Sequence, residues 1–210
     1  VQISTLDDSS ASADGIGNPA SWVDLYADYL YRFAIIRVAD QDTAEELVQE
    51  TFIAAIAAIK ENRFHGKSGK KTWLTGILKH KIIDHLRRKY RDRALPLELV
   101  GEDAIEASFD ANGSWRVKPG QWGINPSEGY ERKELAKIIM ACIETLQERQ
   151  ADAVRLRELD EKTTEEICKI LMISTTNYWV LMHRARLSLR RCVDNHWTTD
   201  ARREVDGEKR

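Results

Sequence analysis

Wherever apolar residues recur regularly in this chain they step by three and four, the period of a helix that buries one side. Trp22, Leu25, Tyr26, Tyr29, Leu30 and Phe33 form one such row, and Leu47, Val48, Phe52, Ala55, Ile56 and Ile59 form a second. A third, made of Trp73, Leu74, Ile77, Leu78, Ile82 and Leu86, predicts a helix from about Lys71 to Tyr90. The period lapses between Leu95 and Ser127, a stretch that holds three of the four prolines, and resumes with Leu135, Ile138, Ile139, Cys142 and Leu146. The expected fold is all-α, with two small helical domains at 20–93 and 128–197 joined by an extended linker at 94–127. Trp115 and Trp122 in that linker are expected to dock on something, because exposed tryptophans favour association. Residues 1–19, a Ser/Asp/Gly/Ala mixture, read as disordered, and 198–210 as a polar tail.

Local signals refine the two domains. Asp42 is the expected N-cap of the second helix, with Glu45 three residues on in a box-like arrangement. Arg63 to Lys70 carries two glycines and reads as a loop. In the second domain, Arg149 to Leu159 predicts a helix, and Thr163 to Glu166 fits a capping box that opens a short helix on Ile167, Ile170 and Leu171. Ile173 and Ser174 make a tight turn with a Ser N-cap. Tyr178, Leu181, Met182, Ala185 and Leu189 then carry a final basic helix, so the second domain ends as a helix-turn-helix.

With 32 basic and 34 acidic residues the net charge is only −2, so any binding to nucleic acid requires segregated charge. The charge is segregated. Asp40 to Glu50 holds five acids and no base, Lys79 to Arg93 seven bases and two acids, and Arg184 to Arg191 four arginines and no acid. The longest apolar run, Phe52 to Ile59, has eight residues where a membrane span needs ~20. No signal peptide is evident, and a cytoplasmic location is expected. Cys142, Cys168 and Cys192 lie more than twenty residues apart and are expected to be reduced.

Catalytic signatures are missing: there is no GxGxxG, GxxxxGK[ST] or GxSxG. His80, Asp84 and His85 share a helix and raise the idea of a metal-dependent hydrolase. Their lysine and arginine neighbours would repel a cation, so neither an enzyme nor a bound metal or other cofactor is expected. The cationic final helix, with Ser174, Thr175, Thr176 and Asn177 at its N-terminal end and His183, Arg184 and Arg186 beyond, suits a recognition helix in DNA. The lysine-bearing loop that runs into Trp73 and a basic helix suits nucleic acid held by its backbone. A stand-alone helix-turn-helix regulator of duplex operators is the alternative. It would need neither the acidic helix nor the loop and basic helix of the first domain.

Three segments, DQDTAEELVQETFIAAI, RFHGKSGKKTWLTGILKHKIIDHLRRKYR and EEICKILMISTTNYWVLMHRARLSLRRC, together resemble the extracytoplasmic-function sigma factors, the promoter-specificity subunits of bacterial RNA polymerase. The resemblance implies that Asp42, Glu45, Glu46, Leu47, Gln49, Glu50 and Phe52 dock on core polymerase, with Leu47 and Phe52 as an apolar edge. It implies that Gly66, Lys67, Ser68, Lys70 and Lys71 form the loop that captures a flipped base. Lys79, His80, Lys81, Arg87 and Arg88, with Asp84 among them, would contact the melted minus-ten element. Ser174, Thr175, Thr176, Asn177, His183, Arg184 and Arg186 would bind the duplex minus-thirty-five element. The linker would thread through the polymerase, and an anti-sigma partner would hold the protein inactive until a stress signal. Two positions depart from the family pattern: His80 stands where relatives often have Asn, and Trp179, Val180 and Leu181 stand where many have Lys-Ser-Arg.

Overall fold

The computed structural model describes residues 20–61, 63, 68–91 and 129–207, and all regular structure among them is helical. The expected disordered segment at 1–19, loop residues Gly66 and Lys67, the linker at 94–127 with its two tryptophans, and 208–210 lie outside the described residues. The helices are α1 (Ala20–Val38), α2 (Gln41–Lys60), α3 (Lys70–Arg91), α4 (Gly129–Glu144), α5 (Glu148–Glu158), α6 (Thr164–Leu171) and α7 (Thr175–Gly207). They belong to two compact units, Val1–Arg88 and Lys89–Arg210.

In the first unit α1 packs on α2. The buried side of α1 is Trp22, Leu30, Ala34 and Val38, and that of α2 is Ala44, Leu47, Val48, Phe52 and Ala55. Leu25 and Tyr29, part of the apolar row read from the sequence, are exposed. On α3 the row Leu74, Leu78, Ile82 and Leu86 recurs every fourth residue and is almost wholly buried, so a single stripe serves the core. Trp73 meets Trp22 edge to face at 6.2 Å, a favourable arrangement of the two ring quadrupoles. The buried Thr51 hydroxyl donates to the Leu47 carbonyl at 2.7 Å, which removes the cost of an unpaired polar group.

Two residues connect α1 to α2. Ala39 turns left-handed at φ 53 and its N–H donates to the Ile35 carbonyl, closing α1. Asp40 is extended and its side chain accepts the Thr43 N–H at 2.8 Å. The N-cap is thus Asp40 and not the expected Asp42, which lies in the first turn. Both are acids before an apolar row, and only the one with extended backbone can cap.

The second unit is built on α7, which packs on α4, α5 and α6. The capping box is present: Thr163 Oγ1 accepts the Glu166 N–H, and Glu166 Oε2 accepts the Thr163 N–H. Met172 ends α6 in the left-handed region at φ 54, and Ser174 Oγ accepts the Asn177 N–H at 3.2 Å to start α7. These caps set the turn of the helix-turn-helix. Against the expectation of three reduced cysteines, Cys142 of α4 and Cys192 of α7 form a disulfide with Cα atoms 5.8 Å apart, and Cys168 is free. The expectation rested on sequence spacing, whereas helix packing joins residues 50 apart. Through the polar tail expected at 198–210, α7 continues as helix to Gly207. Ala, Arg and Glu in that stretch favour helix, and a glycine commonly ends one.

An alanine held left-handed costs roughly 1 kcal/mol, partly regained by a glycine that loses more entropy on folding. Ala39→Gly is therefore expected to raise the stability of the first unit by up to about 1 kcal/mol, and Ala39→Val to lower it, since a β-branched residue fits that region poorly. Urea titration followed by helical circular dichroism measures both; no gain from glycine would show that the junction carries no strain.

Candidate nucleic-acid and protein interfaces

The outward side of α2 is an acidic stripe that becomes apolar. Asp42, Glu45, Glu46 and Gln49 are exposed. Leu47 and Phe52, expected as the apolar edge of a docking surface, are 2% and 8% exposed and belong to the core. The apolar residues that do face solvent on this helix are Ile53, 68% exposed, and Ile56, 39% exposed. Counting along α2, Glu46, Gln49, Ile53 and Ile56 fall on one side. Sequence reasoning missed Ile53 and Ile56, although the run Phe52 to Ile59 held the signal. Eight consecutive apolar residues point in every direction around a helix, and this helix buries only one.

Glu50 is not free for a partner. Its carboxylate pairs with Lys81 Nζ of α3 at 2.9 Å, both side chains being about two-thirds buried. The Lys81 hydrogen bond holds the Glu50 carboxyl below its ordinary range, against an opposing push from burial and with help from Lys81, Arg88 and His85 charge. One residue expected at a polymerase surface and one expected at a DNA surface thus neutralise each other inside the first unit.

Three lysines of α3 lean on aromatic rings of α1. Lys71 Nζ lies 4.0 Å from the Tyr29 ring centroid, Lys79 Nζ 5.8 Å from Phe33 and Lys70 Nζ 5.9 Å from Trp22. Arg37 stacks on the same Phe33 ring at 3.4 Å. Ser68, Lys71, Lys79, His80, Arg87 and Arg88 are exposed, so a basic face stands beside aromatic edges. Asp84 sits within it at 3.4 Å from Arg87. His80, Asp84 and His85 do not converge as ligands: among the described residues the group with three ligand atoms within 4.8 Å is Cys142, Cys192 and His196.

In the second unit Ser174, Thr175, Thr176 and Arg186 are exposed, and Asn177, His183 and Arg184 are half-buried. Tyr178, Met182 and Ala185 hold α7 to the core. Trp179 is 56% exposed and rests edge-on against Tyr178 at 5.2 Å, whereas Val180 and Leu181 are half-buried. At this departure from the family pattern, the large side chain is thus presented outward.

The family profile "Sigma-70 region 2" matches residues 22–92, and "Sigma-70, region 4" matches residues 136–189. A probable RNA polymerase sigma factor of Haemophilus influenzae is 36% identical over 167 residues, covering 77% of this chain and 82% of that protein. The chain belongs to the extracytoplasmic-function sigma factors. The factor SigW of Bacillus subtilis is 27% identical, covering 82% of this chain and 87% of its own. Among solved structures, the sigma factor RpoE in complex with the anti-sigma factor NepR from Bartonella quintana superposes at a TM-score of 0.38 with 22% identity, covering 83% of this chain and 96% of that one. The sigma factor works with core RNA polymerase and promoter DNA in transcription initiation. Among its described residues no helix is long and apolar enough to cross a membrane.

The Glu50–Lys81 pair gives an acid-dependent contribution to stability. Because folding lowers the Glu50 pKa, the contribution is present above the unfolded carboxylate value of about 4.3 and is lost as pH falls through the folded one. Glu50→Gln is expected to cost about 0.2–1 kcal/mol at neutral pH, the range for a partly exposed pair, and the difference from wild type should vanish in acid. A difference unchanged down to pH 3 would mean the ion pair is not its source.

Proposed function

We propose that the first unit docks on core polymerase through Asp42, Glu45, Glu46 and Gln49 of α2, continued by Ile53 and Ile56, with Glu50, Leu47 and Phe52 acting inside the unit instead. The basic face of α3, from the Gly66–Lys71 loop to Arg88, holds the melted minus-ten strand. Ser174, Thr175, Thr176 and Asn177 approach base edges of the minus-thirty-five duplex, Trp179 supplies an apolar contact to a thymine methyl, and Arg184 and Arg186 bind phosphates. In this reading the protein acts in the cytoplasm without catalytic residues, and an anti-sigma partner restrains it. The observation that carries the reading is chemical separation: the acidic-to-apolar stripe is on α2, and the cationic surfaces are on α3 and α7.

Magnitudes support dependence on polymerase. Stacking in DNA is worth about 1.4 kcal/mol per step, so opening a dozen base pairs costs roughly 10–20 kcal/mol. Capturing an unstacked base returns only ~1–3 kcal/mol. One small basic face cannot hold a bubble open alone, and the stand-alone regulator reading leaves the α2 stripe without a use.

Glu46→Lys combined with Ile53→Asp is expected to abolish co-purification with core polymerase while helical content stays unchanged, because both side chains are exposed. Full-yield co-purification would sink the docking assignment. At the promoter, Arg184→Ala should weaken binding to all sequences alike and reduce the salt slope by about one counterion. Trp179→Ala should lose preference at one or two upstream positions; identical effects of both changes on every sequence would remove the readout claim.

A further inference from the structure

Away from those surfaces, the second unit gathers Cys142 of α4 with Cys192 and His196 of α7, and one ligand atom from each lies within 4.8 Å of the others. Cys142 is fully buried, Cys192 half-buried and His196 exposed. Cys192 and His196 are four residues apart on one helix, so they share a face, and Cys142 approaches that face from α4. Two sulfurs and an imidazole are the donors that zinc prefers. It takes them tetrahedrally at roughly 2.3 Å for sulfur and 2.0–2.1 Å for nitrogen.

We propose that, with its thiols reduced, this cluster is a zinc site: Cys142 and Cys192 bind as thiolates, His196 binds through a ring nitrogen, and water takes the fourth position on the exposed side. The same two sulfurs form the disulfide, so metal and disulfide are alternative occupants of one place, and each ties α4 to α7. Proteins that work among reducing thiols seldom keep a disulfide permanently, and the family assignment is the ground for counting this chain among them. Oxidation frees the metal with atoms and electrons in balance. Hydrogen peroxide takes two electrons from the two thiolates and two protons from solvent; the sulfur–sulfur bond forms, the oxygen–oxygen bond breaks, two waters leave and zinc is released. Cys168 stands apart: it is unpaired with another cysteine, and burial pushes its thiol pKa up, which makes it a poor thiolate.

The test uses the full chain, reduced under anaerobic conditions, titrated with Zn2+ and assayed by elemental analysis and by a chromophoric chelator. One zinc per chain is expected in wild type and in Cys168→Ser, and none in Cys142→Ser or Cys192→Ser. Because Cys142 is a core residue, the decisive variant is the exposed His196→Ala. It should weaken zinc binding tenfold or more while still forming the Cys142–Cys192 disulfide with peroxide. Peroxide should release the metal from wild type in step with disulfide formation. Reduced wild type that takes up no more zinc than Cys142→Ser would overturn the site, leaving a plain disulfide. Unchanged affinity in His196→Ala would overturn it as drawn. Neither failure touches polymerase binding, which the α2 variants read separately.

Discussion

In the first unit of this sigma factor, α1, α2 and α3 each bury one side and give the other to solvent. The row Leu74, Leu78, Ile82 and Leu86 illustrates the consequence. Its residues are at most 2% exposed, and fully burying each stabilises the fold by about 1.5–3 kcal/mol. With that stripe inward, Lys79, His80, Arg87 and Arg88 have nowhere to go but out. The basic surface is therefore a product of core packing, and a change that rotated α3 would move both together. The same logic makes the α2 stripe: once Leu47, Val48, Phe52 and Ala55 are buried, Glu46 and Ile53 must face water.

The second unit depends on its turn. Three capping devices in a dozen residues, the Thr163–Glu166 box, left-handed Met172 and the Ser174 cap, fix where α6 starts, where it stops and where α7 starts. The Thr163 and Ser174 N-caps contribute about 1 kcal/mol each, modest beside the burial of Ile167, Ile170, Leu171, Tyr178 and Met182. Their role is angular. They determine which residues of α7 emerge at its N-terminal end, and so place Ser174, Thr175 and Thr176 outside while Tyr178 turns in.

Much of this was legible in the sequence because it is local. Helical period, the capping box and the serine cap involve residues within four positions of one another, and each appears in the structure as read. The features that were not legible depend on partners far along the chain. Leu47 and Phe52 could not be told from Ile53 and Ile56 by hydrophobicity, since only the placement of α1 and α3 decides which of them is covered. Glu50 and Lys81 lie 31 positions apart (81 minus 50), and nothing in either block of charge marks them as a pair. The cysteines failed in the same way: spacing rules detect ligands on one loop or helix, while Cys142 and Cys192 meet only through the packing of α4 on α7. Asp40 and Asp42 are a subtler case, where the residue type was right and backbone conformation chose between two.

The lysines held over rings bear on how the proposed minus-ten contact would work. A cation above an aromatic face gains about 0.5–1 kcal/mol at an exposed site, less than it gains by also neutralising a phosphate in a groove shared with other bases. Lys71 over Tyr29 and Lys79 over Phe33 therefore do not compete with a strand; the ring holds one side of each ammonium and leaves the other toward water. Ordering a long side chain on binding costs about 0.5–1.5 kcal/mol, and a lysine already confined by a ring has met part of that cost on folding. Lys81, by contrast, would have to leave Glu50, and the partial burial of that pair makes separation more costly than at the surface. In the proposed contact the strand-facing charge of α3 accordingly would fall on its ring-supported and exposed residues, with Lys81 holding α3 to α2.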